Sequence, residues 1–217
     1  MRTRYGISPW IANLPAQRRP EFPRLRGEHT TTVVIVGGGL TGWATASACA
    51  VAGLRPVLIE ADRIGQAGAG RSAGLLLPEP GPSFRDLAGV HGVRTTRQIF
   101  EGWRRASLDA AALLKRLGVR CGLEPREQVT VALAGEDRAL RREAGLRGDA
   151  GLDVSWLTPK QARPITALET SGALKLRDAF SLDPYRAALG LAAAAVKRKA
   201  VLFERSRVTK VRFSRSS

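Results

Sequence analysis

Six residues, Gly37-Gly38-Gly39-Leu40-Thr41-Gly42, constrain the fold of this chain more than any other stretch, because of what stands on either side of them. Before them runs Thr32-Val33-Val34-Ile35-Val36, a continuous β-branched stretch that predicts a strand buried on both faces of a parallel sheet. After them, Leu40 to Ala52 is rich in alanine and other small residues and stops at Gly53, which predicts a closely packing helix. Pro56-Val57-Leu58-Ile59-Glu60 then reads as a second short buried strand. Strand, helix and strand fall within about 30 residues, the span of a βαβ unit.

The pattern G-x-G-x-x-G has a mechanical meaning in that setting. Gly37 permits the tight turn, Gly39 leaves no Cβ to keep a pyrophosphate away, and Gly42 lets the helix lie close to the strand. Free amides at the helix start, around Leu40 and Thr41, then face the anion. Glu60 ends the second strand 18 residues beyond Gly42, with Ala61 next to it. A carboxylate there accepts both ribose hydroxyls of an adenosine and repels a 2′-phosphate, which argues against NADP. Glycine turns arise by composition in a chain with 23 glycines, but here strand, turn, helix and acid stand in order.

Elsewhere the chain alternates breakers and periodic runs. Pro9, Pro15, Pro20 and Pro23 predict an extended arm over residues 1–30, and Trp10, Ile11, Leu14 and Phe22 give it apolar anchors against the body. Five glycines and three prolines between 62 and 82 predict a loop. Ile99, Trp103, Ala106, Ala110, Leu113, Leu114 and Leu117 recur at helical spacing, so a long amphipathic helix is expected over Val93–Leu117, with Trp103 in the core. A strand over Gln128–Leu133 and a charged helix over Glu136–Ala144 follow, and Thr158-Pro159 starts another short helix. Asp183-Pro184 repeats that start signal for a helix carrying Tyr185, Ala188, Leu189, Ala192 and Val196, before expected strands at Ala200–Glu204 and Val208–Phe213.

Composition narrows the function classes. With 44% hydrophobic residues the chain builds a real core, and no apolar run approaches the roughly 20 residues a membrane span needs. The N-terminus lacks the order of a secretory signal, so a cytoplasmic location is expected. Cys49 and Cys121 match no metal-ligand spacing and are expected as reduced, packed thiols, with no metal site. A net charge of +16 invites polyanions, yet residues 31–84 are neutral and residues 175–217 carry +8 of it. Scattered arginine of that kind reads as a solvated face and argues against nucleic acid.

From Ser8 to about Phe213 the chain resembles FAD-dependent oxidoreductases of the D-amino-acid oxidase type, which include glycine and sarcosine oxidases and gamma-glutamylputrescine oxidase. The likeness is carried by Ser8-Pro9-Trp10, by Pro23-Arg24-Leu25-Arg26-Gly27 with Val33–Gly42, and by Gly65-Gln66-Ala67-Gly68-Ala69-Gly70-Arg71-Ser72-Ala73-Gly74. Ser181-Leu182-Asp183-Pro184 and Ser206-Arg207-Val208 extend it. It implies that Arg71, Ser72 and Gly74 run beside the pyrophosphate and flavin ring and that the backbone of Val208 meets the adenine. Relatives often have asparagine where this chain has Ser72; in branches whose flavin is attached through histidine that ligand falls near Arg71, where this chain has none, so the resemblance implies non-covalent FAD.

The resemblance also implies an α/β fold: a Rossmann-like FAD-binding domain with a parallel sheet, plus part of an α+β substrate domain, the chain being truncated relative to the family. The expected divisions are an arm at 1–30, the βαβ unit with its glycine-rich loop at 31–90, a helical insertion and partial substrate domain at 91–180, and a return to the FAD domain at 181–217. The implied activity is oxidation of a C–N bond in a small amine or amino acid by hydride transfer to flavin, with no catalytic residue assignable from this portion. Alternatives are a truncated, inactive FAD-binding fragment, an RNA-linked enzyme of the same type, and an NAD-dependent dehydrogenase. The last leaves the 65–74 segment unexplained.

Overall fold

The computed structural model describes residues 6–133 and 135–214. Its first elements are α1 (Pro9–Ala12), β1 (Val34–Val36), α2 (Leu40–Val51), β2 (Val57–Ile59), β3 (Leu75–Leu76), α3 (Phe84–His91) and α4 (Val93–Arg116). After these come β4 (Glu124–Ala132), α5 (Asp137–Asp149), β5 (Ser155–Leu157), α6 (Pro159–Thr166), β6 (Gly172–Ser181), α7 (Pro184–Lys197) and β7 (Val201–Phe203). They form two compact units. Among the described residues the first takes those up to Gly74, Leu114–Gly122 and those from Leu182 onward; the second takes Leu75–Leu113 and Leu123–Ser181. Residues 75–90, grouped on sequence with the βαβ unit, thus fall in the second.

The first unit is built on a parallel sheet in the order β1-β2-β7, with Ile35 beside Leu58 and Leu58 beside Leu202. Central β2 is buried as a three-residue aliphatic strand should be. β1 departs from the expectation of burial on both faces: Ile35 is buried, but Val34 and Val36 are 55% and 61% exposed, because among the described residues no layer covers that side. α2 packs on α7. Both helices are rich in alanine, and in α7 Ala187, Ala188, Leu191, Ala192 and Ala195 form a wide buried stripe. Asp183 caps α7 by accepting from the Arg186 amide at 2.9 Å, and Pro184 stands at the first position, where its missing N–H removes nothing. Residues 208–213 form no strand. Their β-branched content suits one, but they find no ladder partner among the described residues, and Phe213 is almost fully exposed.

The arm of the first unit is only partly extended. Pro9 starts the short helix α1 in the manner of Pro184, and Ala16–Arg18 make a 3-10 turn. Arg19 holds this fold by donating to the Ile11 carbonyl at 2.6 Å and the Leu14 carbonyl at 2.9 Å. Beyond it, Arg24 bridges in parallel to Glu204, so the arm continues the sheet edge past β7. Glu21 pairs with Arg63 at 2.9 Å, and that guanidinium, by hydrogen bond and then by charge, holds the Glu21 carboxyl below its ordinary value. The pair therefore contributes at neutral pH and its contribution is lost as pH falls below about 4.5.

In the second unit β6 is the centre of an antiparallel sheet, with β4 along one side and β3 and β5 on the other. The ladder between β4 and β6 shifts register between Arg126 and Gln128, and Asp178, at the corresponding place on β6, has φ +67° and pairs with Arg104. Phe84, Phe100 and Ala150 form one core cluster, and Leu157, Ala162 and Ala173 another. Along α4 the buried line within this unit runs Thr96, Phe100, Ser107 and Ala111, about one residue round from the expected stripe, which leaves Trp103 50% exposed instead of in the core. A buried charge cluster ties the unit together. Arg147 pairs with Glu143 and Glu79, while both oxygens of Glu143 accept the Phe84 and Arg85 amides at the start of α3.

Candidate functional site

The glycine bend of the first unit sits between the end of β1 and the start of α2, as the spacing predicts. Gly37 has φ +107°, a conformation that side chains other than glycine rarely adopt, and its amide donates to Ile59 O, which locks the bend to β2. A Cβ on Gly42 would collide with the Gly37 carbonyl oxygen, so this glycine is required by the close approach of helix and strand. Gly39 differs: a Cβ there would meet nothing within 4 Å. Its backbone is extended and caps α2 with no side-chain hydrogen bond, and no acidic residue stands in the first turn. Leu40 and Thr41 are exposed beside it. An uncapped helix start of this kind, flanked by open space, attracts an anion.

Glu60 lies against that bend. Its Oε2 accepts from the Gly38 amide at 2.6 Å and its Oε1 from the Asp62 amide at 2.9 Å. The carboxylate is only half-buried and retains lone pairs for further donors. Ala61 is exposed next to it.

A backbone relay joins the second glycine-rich segment to the first. Gly65 donates to Gly38 O at 3.1 Å, and Gly70 donates to Gly65 O at 2.6 Å. Residues 69–71 form a 3-10 turn that leaves Arg71 and Ser72 exposed, while Gly74 is buried with φ +74°. The Ser72 hydroxyl accepts from the Gly74 amide at 3.3 Å. Ser206 donates to Glu60 O at 2.9 Å, which anchors the chain two residues before the half-buried Val208. The bend, Glu60 and the 65–74 segment thus form one hydrogen-bonded assembly, to which Val208 is attached through its neighbours.

Sequence reasoning missed three supports. Trp43 is fully buried, and its indole N–H donates to Gly38 O at 2.9 Å, bracing the bend from beneath. A tryptophan in the first turn of a small-residue helix was the available signal. Glu204 is 2% exposed and accepts from the Ile64 amide at 2.9 Å and the Phe22 amide at 3.3 Å. It follows β7 as Glu60 follows β2, the two strands being paired in register. Ile64, packed where a Cβ on Gly38 would reach, is the third.

The second unit contains a cavity of about 740 Å³, walled by Leu75, Leu77, Trp103, Ala110 and Leu174 and floored by the Glu79, Glu143 and Arg147 cluster. No helix among the described residues is long and apolar enough to cross a membrane.

A family model of FAD dependent oxidoreductases (DAO) matches residues 32–216. One subunit of the anaerobic glycerol-3-phosphate dehydrogenase of Escherichia coli K12 is 29% identical over 168 residues, covering 75% of this chain and 28% of that protein. The gamma-glutamylputrescine oxidoreductase of the same organism is 29% identical over 110 residues, 51% of this chain and 26% of that one. Among solved structures, glycine oxidase from Geobacillus kaustophilus superposes with a TM-score of 0.68 at 25% identity, over 82% of this chain and 47% of its own. The chain therefore spans less than half the length of each of these three proteins.

Proposed function

Because the chain belongs to the family of FAD dependent oxidoreductases (DAO), we propose that its glycine bend holds the ADP half of a non-covalent FAD and that the protein oxidises a C–N bond of a small amine or amino acid. One observation carries the cofactor reading: the start of α2 has no side-chain cap and a Cβ on Gly39 would meet nothing within 4 Å, while Glu60 is fixed against the same bend. In this reading the Gly39, Leu40 and Thr41 amides take the pyrophosphate oxygens and Glu60 accepts the ribose hydroxyls. Arg71 lies exposed for charge pairing with the pyrophosphate or hydrogen bonding to the flavin ring, with Ser72 and Gly74 continuing that edge and the Val208 backbone meeting the adenine. Bound FAD supplies the hydride acceptor, and the protein supplies orientation and electrostatics.

The choice of amine substrate rests on the likeness to glycine oxidase and to gamma-glutamylputrescine oxidoreductase. Oxidation of an alcohol carbon in a polyol phosphate is the second reading, favoured by the longer match to the glycerol-3-phosphate dehydrogenase. The test is an FAD titration followed by substrate trials. The purified chain is expected to retain near-stoichiometric FAD, read from flavin absorption and fluorescence quenching, and Glu60→Ala to weaken that binding by about tenfold or more. A chain that takes up no FAD while remaining folded would remove the assignment of the bend. Bleaching of the flavin by glycine, sarcosine or putrescine derivatives supports the C–N reading; bleaching by glycerol 3-phosphate alone supports the other.

A further inference from the structure

The N-terminal arm has no part in the cofactor reading above, yet it is wired to the segment on which that reading depends. The Trp10 indole N–H donates to Ser72 O at 2.9 Å. A Cβ on Gly74 would lie 2.9 Å from Trp10 Cζ2, so the ring is packed directly on this glycine. Ile11 stands in the same relation to Gly70, 3.1 Å from where a Cβ would be. The two glycines flank Arg71-Ser72-Ala73, all three of which are exposed. Two adjacent residues of α1 therefore clamp both ends of an exposed triplet and leave its side chains free.

The clamp is itself anchored. Arg19 ties off α1 through the Ile11 and Leu14 carbonyls, and Leu14 is buried. Glu21 is paired with Arg63, the Phe22 amide is held by the buried Glu204, and the Leu25 amide donates to Ser206 Oγ at 2.8 Å. Residues 10–25 are thus fastened at intervals to the parts of the first unit that carry Glu60 and the 65–74 segment. The triplet has few internal restraints: among the described residues, the weak bond from the Gly74 amide to Ser72 Oγ and the 3-10 turn bonds from residues 71 and 72 hold its shape. At its ends Gly70 is tied by its amide to Gly65 O at 2.6 Å and Gly74 by its carbonyl to the Leu182 amide at 2.8 Å, and the α1 side chains pack on the same two glycines.

We propose that Trp10 and Ile11 are positioning residues for FAD: the arm fixes the Arg71-Ser72-Ala73 triplet in the geometry that meets the cofactor, and so governs how tightly the flavin is retained. The inference rests on the assignment of FAD to the first unit. Preorganisation of this kind acts on affinity by removing the ordering cost that a free loop bears at binding. Trp10→Phe keeps an aromatic side chain but loses the indole hydrogen bond and the Cζ2–Cη2 edge that meets Gly74, whereas Trp10→Ala loses the aromatic packing altogether.

The experiment measures FAD dissociation constants and amide hydrogen exchange on the full chain and on both variants. Expected are a rise in Kd of about fivefold for Trp10→Phe and of about tenfold or more for Trp10→Ala. In the cofactor-free chains, exchange should quicken at residues 69–74 of Trp10→Ala while β1, α2 and β2 keep wild-type protection. That pattern separates positioning from general loss of fold. A Trp10→Ala chain that binds FAD as tightly as wild type, or whose 69–74 amides exchange no faster, overturns the proposal and leaves the cofactor site standing. A wild-type chain that takes up no FAD removes the cofactor site and this inference together.

Discussion

Alanine at Gly42 and alanine at Gly39 ask different questions of the same bend. At Gly42 the added Cβ would run into the Gly37 carbonyl, which is backbone and cannot step aside cheaply. Gly42→Ala is therefore expected to lower stability by about 1–3 kcal/mol, a fall in Tm of roughly 2–12 °C for a chain of this size. At Gly39 the methyl enters open space on an extended backbone that alanine adopts freely, so the fold should lose about 1 kcal/mol or less, from the poorer helix cap. FAD affinity should nonetheless drop at least about tenfold, because the methyl would stand where the proposed assignment puts the pyrophosphate. Thermal melts with and without FAD check both halves; a Gly39→Ala chain that binds FAD normally would place the anion elsewhere. The residues legible in sequence were those whose role is backbone geometry or a strand-ending acid: Gly37, Gly42 and Glu60 each stand where the spacing put them. Trp43 escaped because its contribution is a hydrogen bond to the Gly38 carbonyl, which no periodicity announces.

Among elements, the ends of β2 and β7 are paired in register, and each is followed by a glutamate that binds amides of neighbouring segments. Glu204 joins the arm at Phe22 to the Ile64 turn, and it is almost wholly buried, so glutamine in its place would turn one N–H toward an amide donor. Glu204→Gln is expected to cost about 1–3 kcal/mol and to quicken amide exchange at Phe22 and Ile64 before it does so in α7. Unchanged exchange at both amides would show that the carboxylate is not what fastens the arm. The helix α7 was legible from its Asp183-Pro184 start and its apolar stripe, α2 from its run of small residues ending at Gly53, and α4 from periodicity, although the buried face of α4 is turned by about one residue from the apolar count, where Phe100 rather than Trp103 enters the core. The strand β6 was not legible. Gly172-Ala-Leu-Lys-Leu-Arg-Asp-Ala-Phe-Ser181 has no β-branched residue, and it is a strand because β3, β4 and β5 pair with it. Residues 208–213 err in the other direction, with strand-like composition and no partner among the described residues. Pairing, which is non-local, outweighs propensity in both places.

For the whole molecule the governing quantity is a net charge of +16 spread over 217 residues. Repulsion of that size disfavours the compact state, and salt relieves it as the screening length falls from roughly 30 Å at about 10 mM to roughly 10 Å at about 100 mM. The opposing contribution comes from ion pairs that salt weakens. Most pairs among the described residues are exposed, such as Arg97 with Glu101 and Arg105 with Asp109, and such pairs contribute about 1 kcal/mol or less each. The Arg147 cluster is buried and largely shielded from salt. Stability should therefore rise with added salt over that range. FAD association should move the opposite way, because a diphosphate is drawn to a cationic protein and loses that attraction when charges are screened; a slowing of about tenfold is expected. Stopped-flow quenching of flavin fluorescence and thermal melts across the same salt series measure the two trends together. Melting temperatures that fall with salt would show that specific ion pairs, not net repulsion, dominate the energetics, and an association rate indifferent to salt would mean that the cofactor meets a locally neutral surface.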